Sequence, residues 1–387
     1  MIAGVLLLVP LLGEQRSFSQ QGNEILAEMP IERFIPYGHT LNVPDLGIDT
    51  AAQVLFFTDS NNRALVFYDL QRNVTKNVEI GPSPHTIAVN SATGKAYVTS
   101  SCNCPAGLAV TVIDYSKGVE SAKVQDTIAS ASRPAAPIAL NPDTGRVYVG
   151  SDSNSIVVID GSNNKVVGRI EGVNNVQGID VNPKTNEVYA IDDGATLYKI
   201  GGTTNKVVGN ITIGLPEGVQ ANGSIIKAIA VNPNTNVVYV INAIKPGPSL
   251  PNEGISIPTG YLAAINGTSN TIISSNITRL NSFNFDLGVN PSTNTIYVLG
   301  NGEIIKVNDM TNDVVRRDYF PDLKEGIRHF VIDESMNKLY LQGQTGVFQV
   351  LDNRVEAPEF HDFVMLVPAL AIAAAVTLAR LSRKKVY

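Results

Sequence analysis

A nine-residue pattern recurs along this chain and limits its possible folds more than any other feature. The clearest copies span residues 181–189, 231–239 and 289–297, and each reads Val-Asn-Pro-x-Thr-Asn-x-x-Tyr. Four worn or degenerate copies begin at Asp49, Asn90, Asn141 and Asp333. Seven copies whose first polar residues lie 41 to 58 positions apart match the length of four-stranded propeller blades. The sequence therefore predicts an all-β fold, a seven-bladed β-propeller.

Each copy divides into four strands, A to D, and the repeated residues fall on the turn between A and B. Asn or Asp can accept hydrogen bonds from the backbone ahead of it, Pro fixes φ, and the final Asn or Gly tolerates a positive φ. We interpret these residues as turn formers and not as ligands. A large ring recurs at one register of strand B, where packing between blades favours it. Its members are Phe56, Tyr97, Tyr148, Tyr189, Tyr239, Tyr297 and Tyr340.

The seventh copy lacks a strand D before the proline-containing segment that follows it. Residues 25–35, ahead of the first copy, carry apolar residues at strand spacing. We predict that this N-terminal segment completes the last blade, because a closed ring leaves no long free sheet edge.

The tetrapeptide Tyr97-Val98-Thr99-Ser100 and its more divergent equivalents, such as Tyr239-Val240-Ile241-Asn242, carry a resemblance to a known family. Over residues 25–352 the chain resembles the YVTN-type propeller repeats of archaeal surface-layer and related secreted proteins. The resemblance implies a seven-bladed fold and a location at the cell surface. It implies no shared reaction.

The N-terminal residues 1–19 resemble a signal peptide. An apolar stretch too short to span a bilayer precedes the small-x-small pattern Ser17-Phe18-Ser19. No Lys or Arg precedes the stretch, which departs from the usual pattern, and a buried strand is the alternative interpretation.

At the other end, residues 363–379 are 17 uncharged residues, followed by the basic tail 380–387. This pattern predicts a transmembrane helix with a cytoplasmic tail. The linker 353–362 contains Pro358-Glu359-Phe360. This motif, ahead of an apolar span and a basic end, resembles archaeosortase sorting signals. That resemblance implies cleavage near the motif and attachment to a lipid; otherwise the segment stays as a membrane anchor.

Long connections predict where the propeller binds. The A–B and C–D turns, which share one face, are expected to be short. The extended B–C and D–A connections share the other face: residues 100–107, 129–137, 215–224, 242–260 and 320–328. Loops on rigid scaffolds carry binding residues, although neutral insertions would give the same pattern. We expect a surface scaffold that contacts envelope proteins, glycans or a small ligand.

A net charge of −6 without a long basic run argues against nucleic acid as a partner.

His39, His85 and His329 lie in or beside the D–A segments that enter innermost strands. If they converge at the channel mouth, they could bind copper or zinc; the alternative is three isolated histidines. The alternative to the scaffold is an enzyme of the lactonase or lyase kind, or a metal-binding protein, that uses His85 and His329.

Cys102 and Cys104 are the only cysteines and are predicted to form a local disulfide in an oxidising compartment.

Sequons and catalytic motifs complete the survey. Five Asn-x-Ser/Thr sequons are candidate glycosylation sites: Asn73, Asn210, Asn222, Asn266 and Asn276. The chain has no Gly-x-Ser-x-Gly elbow, no phosphate-binding glycine loop and no His-Glu-x-x-His motif. The acidic residues form no evident catalytic pair, so we predict no catalytic residues and no cofactor, and a binding or structural role is favoured over an enzyme.

Overall fold

A computed structural model describes most of the chain between residues 19 and 351. The described residues are 19–21, 24–28, 31–36, 45–101, 108–130, 136–151, 154–215, 217, 224–244, 259–281, 285–300, 302–320, 327–343 and 346–351. His39, Cys102, Cys104, Asn222, the Pro358-Glu359-Phe360 motif, residues 1–18 and residues 352–387 lie outside them.

Three short strands precede the blades: β1 (Ser19–Gln21), β2 (Glu24–Glu28) and β3 (Ile31–Pro36). Blade one contains β4 (Leu46–Asp49), β5 (Val54–Asp59), β6 (Ala64–Asp69) and β7 (Val74–Glu79). Blade two contains β8 (Pro84–Asn90), β9 (Lys95–Ser101), β10 (Leu108–Asp114) and β11 (Lys123–Ser130). Blade three contains β12 (Ile138–Asn141), β13 (Arg146–Gly150), β14 (Ser155–Asp160) and β15 (Lys165–Glu171).

Blade four contains β16 (Val176–Asn182), β17 (Glu187–Asp192), β18 (Thr196–Gly201) and β19 (Lys206–Thr212). Blade five contains β20 (Ser224–Asn232), β21 (Val237–Ile244), β22 (Thr259–Asn266), β23 (Thr271–Ser274) and β24 (Arg279–Asn281). Blade six contains β25 (Phe285–Asn290), β26 (Thr295–Gly300), β27 (Glu303–Asn308) and β28 (Val314–Tyr319). Blade seven contains β29 (His329–Asp333), β30 (Lys338–Gln342) and β31 (Gly346–Leu351).

The first strand of each blade lies against the first strands of both neighbouring blades, and the cycle closes where β29 contacts β4. Seven sheets therefore surround a central channel, with A strands innermost and D strands outermost. The seven-bladed propeller predicted from the repeats is confirmed.

The core of the molecule consists of seven apolar layers, one between each pair of neighbouring blades. The predicted ring series of strand B lies in these layers: the six tyrosines and Phe56 are among the largest fully buried side chains. Glycines on the next blade make room for them. A Cβ on Gly267 would lie 2.3 Å from the Tyr189 hydroxyl, and one on Gly161 would lie 2.6 Å from that of Tyr97. The tyrosines are therefore packing residues.

The repeated Asn residues perform two tasks. In blade four the side-chain oxygen of Asn182 accepts the backbone N–H of Lys184 at 3.0 Å, which holds the turn. Its amide nitrogen donates to Asn236 of the next blade at 2.7 Å, and Asn236 has the positive φ expected for the end of this turn. The same donation links Asn141 to Asn186, Asn232 to Asn294, and Asn290 to Asn337, at 2.8, 3.3 and 3.1 Å. In blades three to six the motif therefore also joins each blade to the next.

An N-terminal strand completes blade seven, as predicted, but the bounds differ from residues 25–35. The closing strand is β3, which pairs antiparallel with β31. The preceding strand β2 pairs in parallel with β28 and so belongs to blade six. Pro30 stands between β2 and β3 in the sequence and has no N–H to donate to a ladder, so the sequence favours two strands there, and these pair with different blades.

One turn departs from the expectation of short C–D connections. In blade two the connection between β10 and β11 is longer and contains a 3-10 helix, Val119–Ser121. Its Tyr115 is buried between blades one and two.

Across the described parts of the chain, no helix is long and apolar enough to cross a membrane. The predicted membrane segment, residues 363–379, falls outside those parts.

Candidate functional site

Three aspartates join neighbouring blades across the channel wall: Asp180 and Asp286 on inner strands, and Asp45 immediately before β4. Each uses one carboxylate oxygen to accept the N–H of its own next residue and the other to accept an N–H from the A strand of the following blade. The second acceptances are Asp45 from Ile87 at 2.9 Å, Asp180 from Val231 at 2.8 Å, and Asp286 from Phe330 at 3.0 Å. Inner strands have an unpaired edge, so these carboxylates satisfy donors that no fifth strand reaches.

Asp45, Asp286 and His329 form a cluster at one mouth of the channel, which we call the mouth cluster. All three lie four residues before the anchor residues of their blades, at the end of the A strand where the D–A connections enter. The Nδ1 atom of His329 lies 3.6 Å from an Asp286 carboxylate oxygen, and the imidazole is 37% exposed. The cluster spans blades six, seven and one, where β3 closes the ring.

The electrostatics of the mouth cluster shift two pKa values upward. Burial lowers the pKa of His329, but the carboxylates of Asp286 and Asp45 outweigh it, and the net pKa is raised. Burial raises the pKa of Asp45 to about 6, although the charge of His329 and two backbone N–H donors oppose that shift. Near neutral pH Asp45 is therefore mostly ionised, and the imidazole of His329 can donate a hydrogen bond or carry a proton.

The predicted histidine site stays a prediction. His85 lies on β8, partly buried, and burial lowers its pKa. Its carbonyl oxygen accepts from the Thr58 hydroxyl at 3.2 Å. The charged groups that act on His329 are Asp286, Asp45 and Arg328. Within the described ranges, no three His, Cys, Asp or Glu side chains are grouped so that they could hold a metal ion, and His39 lies beyond those ranges.

Four of the five candidate glycosylation sites can be placed. Asn210, on the outer strand β19, and Asn276, after β23, are exposed. Asn266 accepts the backbone N–H of Thr268 and holds a turn. Asn73 accepts hydrogen bonds from Arg33 of the closing strand and from the Tyr68 hydroxyl. Glycan attachment, like the predicted disulfide, remains a prediction.

The channel also contains a cavity of about 500 Å³ near its other end, lined by Asp180, Glu334 and apolar residues of the A strands. A smaller cavity of about 350 Å³ lies between blades one and two on the turn face, beside Tyr115 and Gly94. Sequence reasoning missed Asp45, Asp180 and Asp286. A signal existed for Asp180, because the other six copies carry small or apolar residues two positions before the anchor: Gly47, Ala88, Ala139, Ala230, Gly288 and Val331.

Comparison with known proteins supports the fold alone. No protein-family model matches the chain, and no curated protein sequence matches it. Among solved structures it is similar to the WD40 domain of Pan2 from Neurospora crassa, with a TM-score of 0.62 and 11% identity over 85% of this chain and 98% of that one. It is similar also to the hydrazine synthase of Kuenenia stuttgartiensis, with a TM-score of 0.62 and 15% identity over 81% of this chain and 97% of that one.

Proposed function

We propose that this chain is a binding scaffold of the cell envelope whose B–C/D–A face contacts envelope proteins, glycans or a small ligand. The mouth cluster is the observation that carries the proposal. It places two carboxylates and a partly exposed imidazole on the face where the long connections enter. Concave sites with a few convergent polar groups on a rigid frame are the usual form of a binding site.

The mouth cluster also indicates what the partner presents. The carboxyl groups of Asp45 and Asp286 can accept hydrogen bonds, so the cluster favours hydrogen-bond donors and positive charge, such as sugar hydroxyls or lysine side chains. The net charge of −6 agrees with this preference. These features suit a protein or glycan partner and disfavour nucleic acid.

The proposed location rests on the ends of the sequence and on the resemblance to archaeal surface-layer propellers. We propose that residues 1–19 are removed on export and that residues 25–352 lie outside the cell. Residues 353–362 would then lead to an anchor at 363–379 with the basic tail 380–387 in the cytoplasm. Alternatively, the chain is cut near Pro358 and joined to a lipid. External protease on intact cells should degrade the propeller, and the mass of the mature C-terminus distinguishes retention from cleavage.

Site-specific photo-crosslinking on intact cells tests the binding face. A crosslinking side chain at Arg328, exposed beside the mouth cluster, should yield a discrete adduct. The same side chain at Ser162, exposed on a C–D turn of the opposite face, is the matched control and should yield none. Adducts at Ser162 alone, or equally at both positions, would contradict the proposed face.

A further inference from the structure

Two methionines differ from the other exposed large hydrophobic residues of the described chain, because they lie in turns. Met310 is 69% exposed in the C–D turn of blade six, and Met336 is 43% exposed in the A–B turn of blade seven. The remaining exposed large hydrophobic residues in the described ranges all lie on outer strands. Turn positions in contact with water usually carry polar or small residues. Both methionines are therefore unusual for their place in the fold.

The repeat shows that neither turn needs a methionine in order to fold. In the other six copies the position of Met336 holds Thr or Ala: Ala52, Thr93, Thr144, Thr185, Thr235 and Thr293. In the other C–D turns of the same length the position of Met310 holds a polar residue: Gln71, Ser162, Thr203 and Thr268. These turns all end at a residue with a positive φ, as those of the two methionines do. Turn geometry thus does not explain the methionines.

Hydrogen bonds link the turns that carry the two methionines. The backbone N–H of the residue before Met310 donates to the carbonyl of Asn294, in the A–B turn of blade six, at 2.9 Å. Asn290, at the start of that same A–B turn, donates to Asn337, the residue after Met336, at 3.1 Å. Met310 and Met336 therefore belong to neighbouring turns on one part of the turn face, which we call the methionine corner.

The charges beside the methionine corner do not form a basic patch. Asp309 and Asp333 are buried. The exposed charged residues of the two turns are Asp313 and Glu334, and the only cationic residue that directly follows them is the half-buried Lys338. Attraction to anionic lipid headgroups requires a cluster of Lys or Arg. Any contact with a lipid surface must therefore come from the methionines themselves.

The chain leaves the propeller at the methionine corner. Leu351, at the end of β31, lies opposite Lys338, two residues after Met336. Residues 352–362 separate it from the predicted membrane segment 363–379 and can span at most about 40 Å when fully extended. Cleavage near Pro358 and attachment to a lipid would shorten this tether. A short tether gives a high effective concentration of the membrane surface at the corner, so that a small apolar contact is sufficient.

We infer that the methionine corner contacts the lipid surface of the membrane, with Met310 and Met336 at the boundary between headgroups and acyl chains. The flexible thioether of Met adapts to irregular apolar surroundings, and contact strength at this boundary scales with the apolar area buried. The contact holds the turn face toward the membrane and leaves the B–C/D–A face open to its partner. This inference rests on the membrane attachment in the proposed function and adds the orientation of the propeller.

The sequence contains no tryptophan, so a single introduced Trp reports the contact. The full chain is reconstituted into phosphatidylcholine vesicles, with or without lipids brominated near the headgroup end of their acyl chains, which quench Trp emission on contact. M336W and M310W should each lose about half of their emission in brominated vesicles. T185W and T203W, at the same exposed turn positions of blade four, are the matched controls and should lose clearly less.

A second pair of variants tests the native methionines. T311W places the reporter next to Met310 at an exposed position and should be quenched. T311W/M310S/M336S should lose most of this quenching while circular dichroism shows the same fold.

Flotation of the vesicles tests the membrane attachment separately. Protein that does not float would refute both the attachment and the inference. Protein that floats but is quenched equally at blades four and seven would overturn the inference alone. A shift of M336W emission to shorter wavelength without quenching would also overturn it, because another protein segment or a second copy would then cover the corner. None of these outcomes bears on crosslinking at Arg328.

Discussion

The hydrogen bonds that link an anchor residue to the next blade have opposite directions in two regions of the molecule. One region is blades three to six; the other, called the seam, is where blade seven meets blade one and blade one meets blade two. In blades three to six, the anchor Asn donates its amide N–H to an Asn of the next blade. At the seam the anchors are Asp333 and Asp49, which can only accept. Gln53 donates to Asp333 at 2.8 Å, and the Tyr115 hydroxyl donates to Asp49 at 2.8 Å. An anchor Asn can thus be replaced by Asp only where the residue that it contacts in the next blade is a hydrogen-bond donor and not an acceptor.

The largest expected effect comes from removing the strand that closes the seam. Deletion through residue 36 removes β3 and should abolish cooperative thermal unfolding, because blade seven would expose the edge of β31. Deletion through residue 28 removes only β1 and β2 and should leave one cooperative transition at a lower temperature. Calorimetry of both truncated proteins makes the comparison. Equal melts would show that β3 does not close the ring.

The next largest effect is expected when the acceptor at the seam is replaced by a donor. D333N should lower the free energy of unfolding by about 2 kcal/mol, because two amide donors then face each other in a buried site. Rotation of the Gln53 amide gives no relief, since its nitrogen also donates to the Thr50 carbonyl. The double variant D333N/Q53N reproduces the arrangement of blades three to six and should recover at least half of the loss. Denaturant unfolding of the four proteins tests this, and strictly additive losses would contradict it.

A smaller effect separates two buried tyrosines. Y115F should cost about 1–2 kcal/mol, because Asp49 loses a buried donor. Y148F, in blade three, should cost close to nothing, since within the described structure the Tyr148 hydroxyl has no hydrogen-bond partner. Chemical denaturation of both variants gives the two values. A larger loss for Y148F would mean that packing, not the hydroxyl, distinguishes the seam.

The smallest effect concerns pH. The folded pKa of His329 is raised, so its stabilising contribution is complete below about pH 6.5 and is lost as pH rises through the folded value. The difference in unfolding free energy between wild type and H329Q should therefore be larger at pH 5 than at pH 8, by less than about 1 kcal/mol for so exposed a group. Unfolding curves at the two pH values check the sign, and a larger difference at pH 8 would contradict the assigned pKa direction.

The repeated pattern in the sequence was sufficient to predict the structural features that depend on the repeat. The turns held by Asn182 and its equivalents, the buried rings represented by Tyr189, and the absence of a fourth strand in the last copy all follow from one pattern seen seven times. The break between β2 and β3 was harder to predict, since residues 25–35 carry strand spacing throughout. The pairing of Asp49 with Tyr115 joins residues 66 positions apart on different blades, and no local pattern indicates it.

The candidate sites were the least predictable part. Asp180 is a single departure from the repeat, and Asp45 and Asp286 share one register that the other copies do not fill with Asp. The significance of all three depends on a neighbouring blade more than 40 residues away. The histidines were candidates because they are rare in this sequence. The charged cluster around His329, however, is formed by the carboxylates of Asp45 and Asp286. Departures at equivalent positions are a better guide to function in this fold than residue type alone.

The pairing of β3 with β31 has a consequence for the order of folding. It joins Ile35 to Val347, 312 positions later in the chain, so one of the earliest strands to be synthesised waits for the last. Blades one to six can form as local antiparallel units, but loop-closure entropy is overcome only when the final strand arrives. During synthesis the unpaired strand β3 is open to wrong partners. We therefore expect ring closure to be the slow step of folding, and a helper that shields residues 31–36 should raise the yield of folded protein.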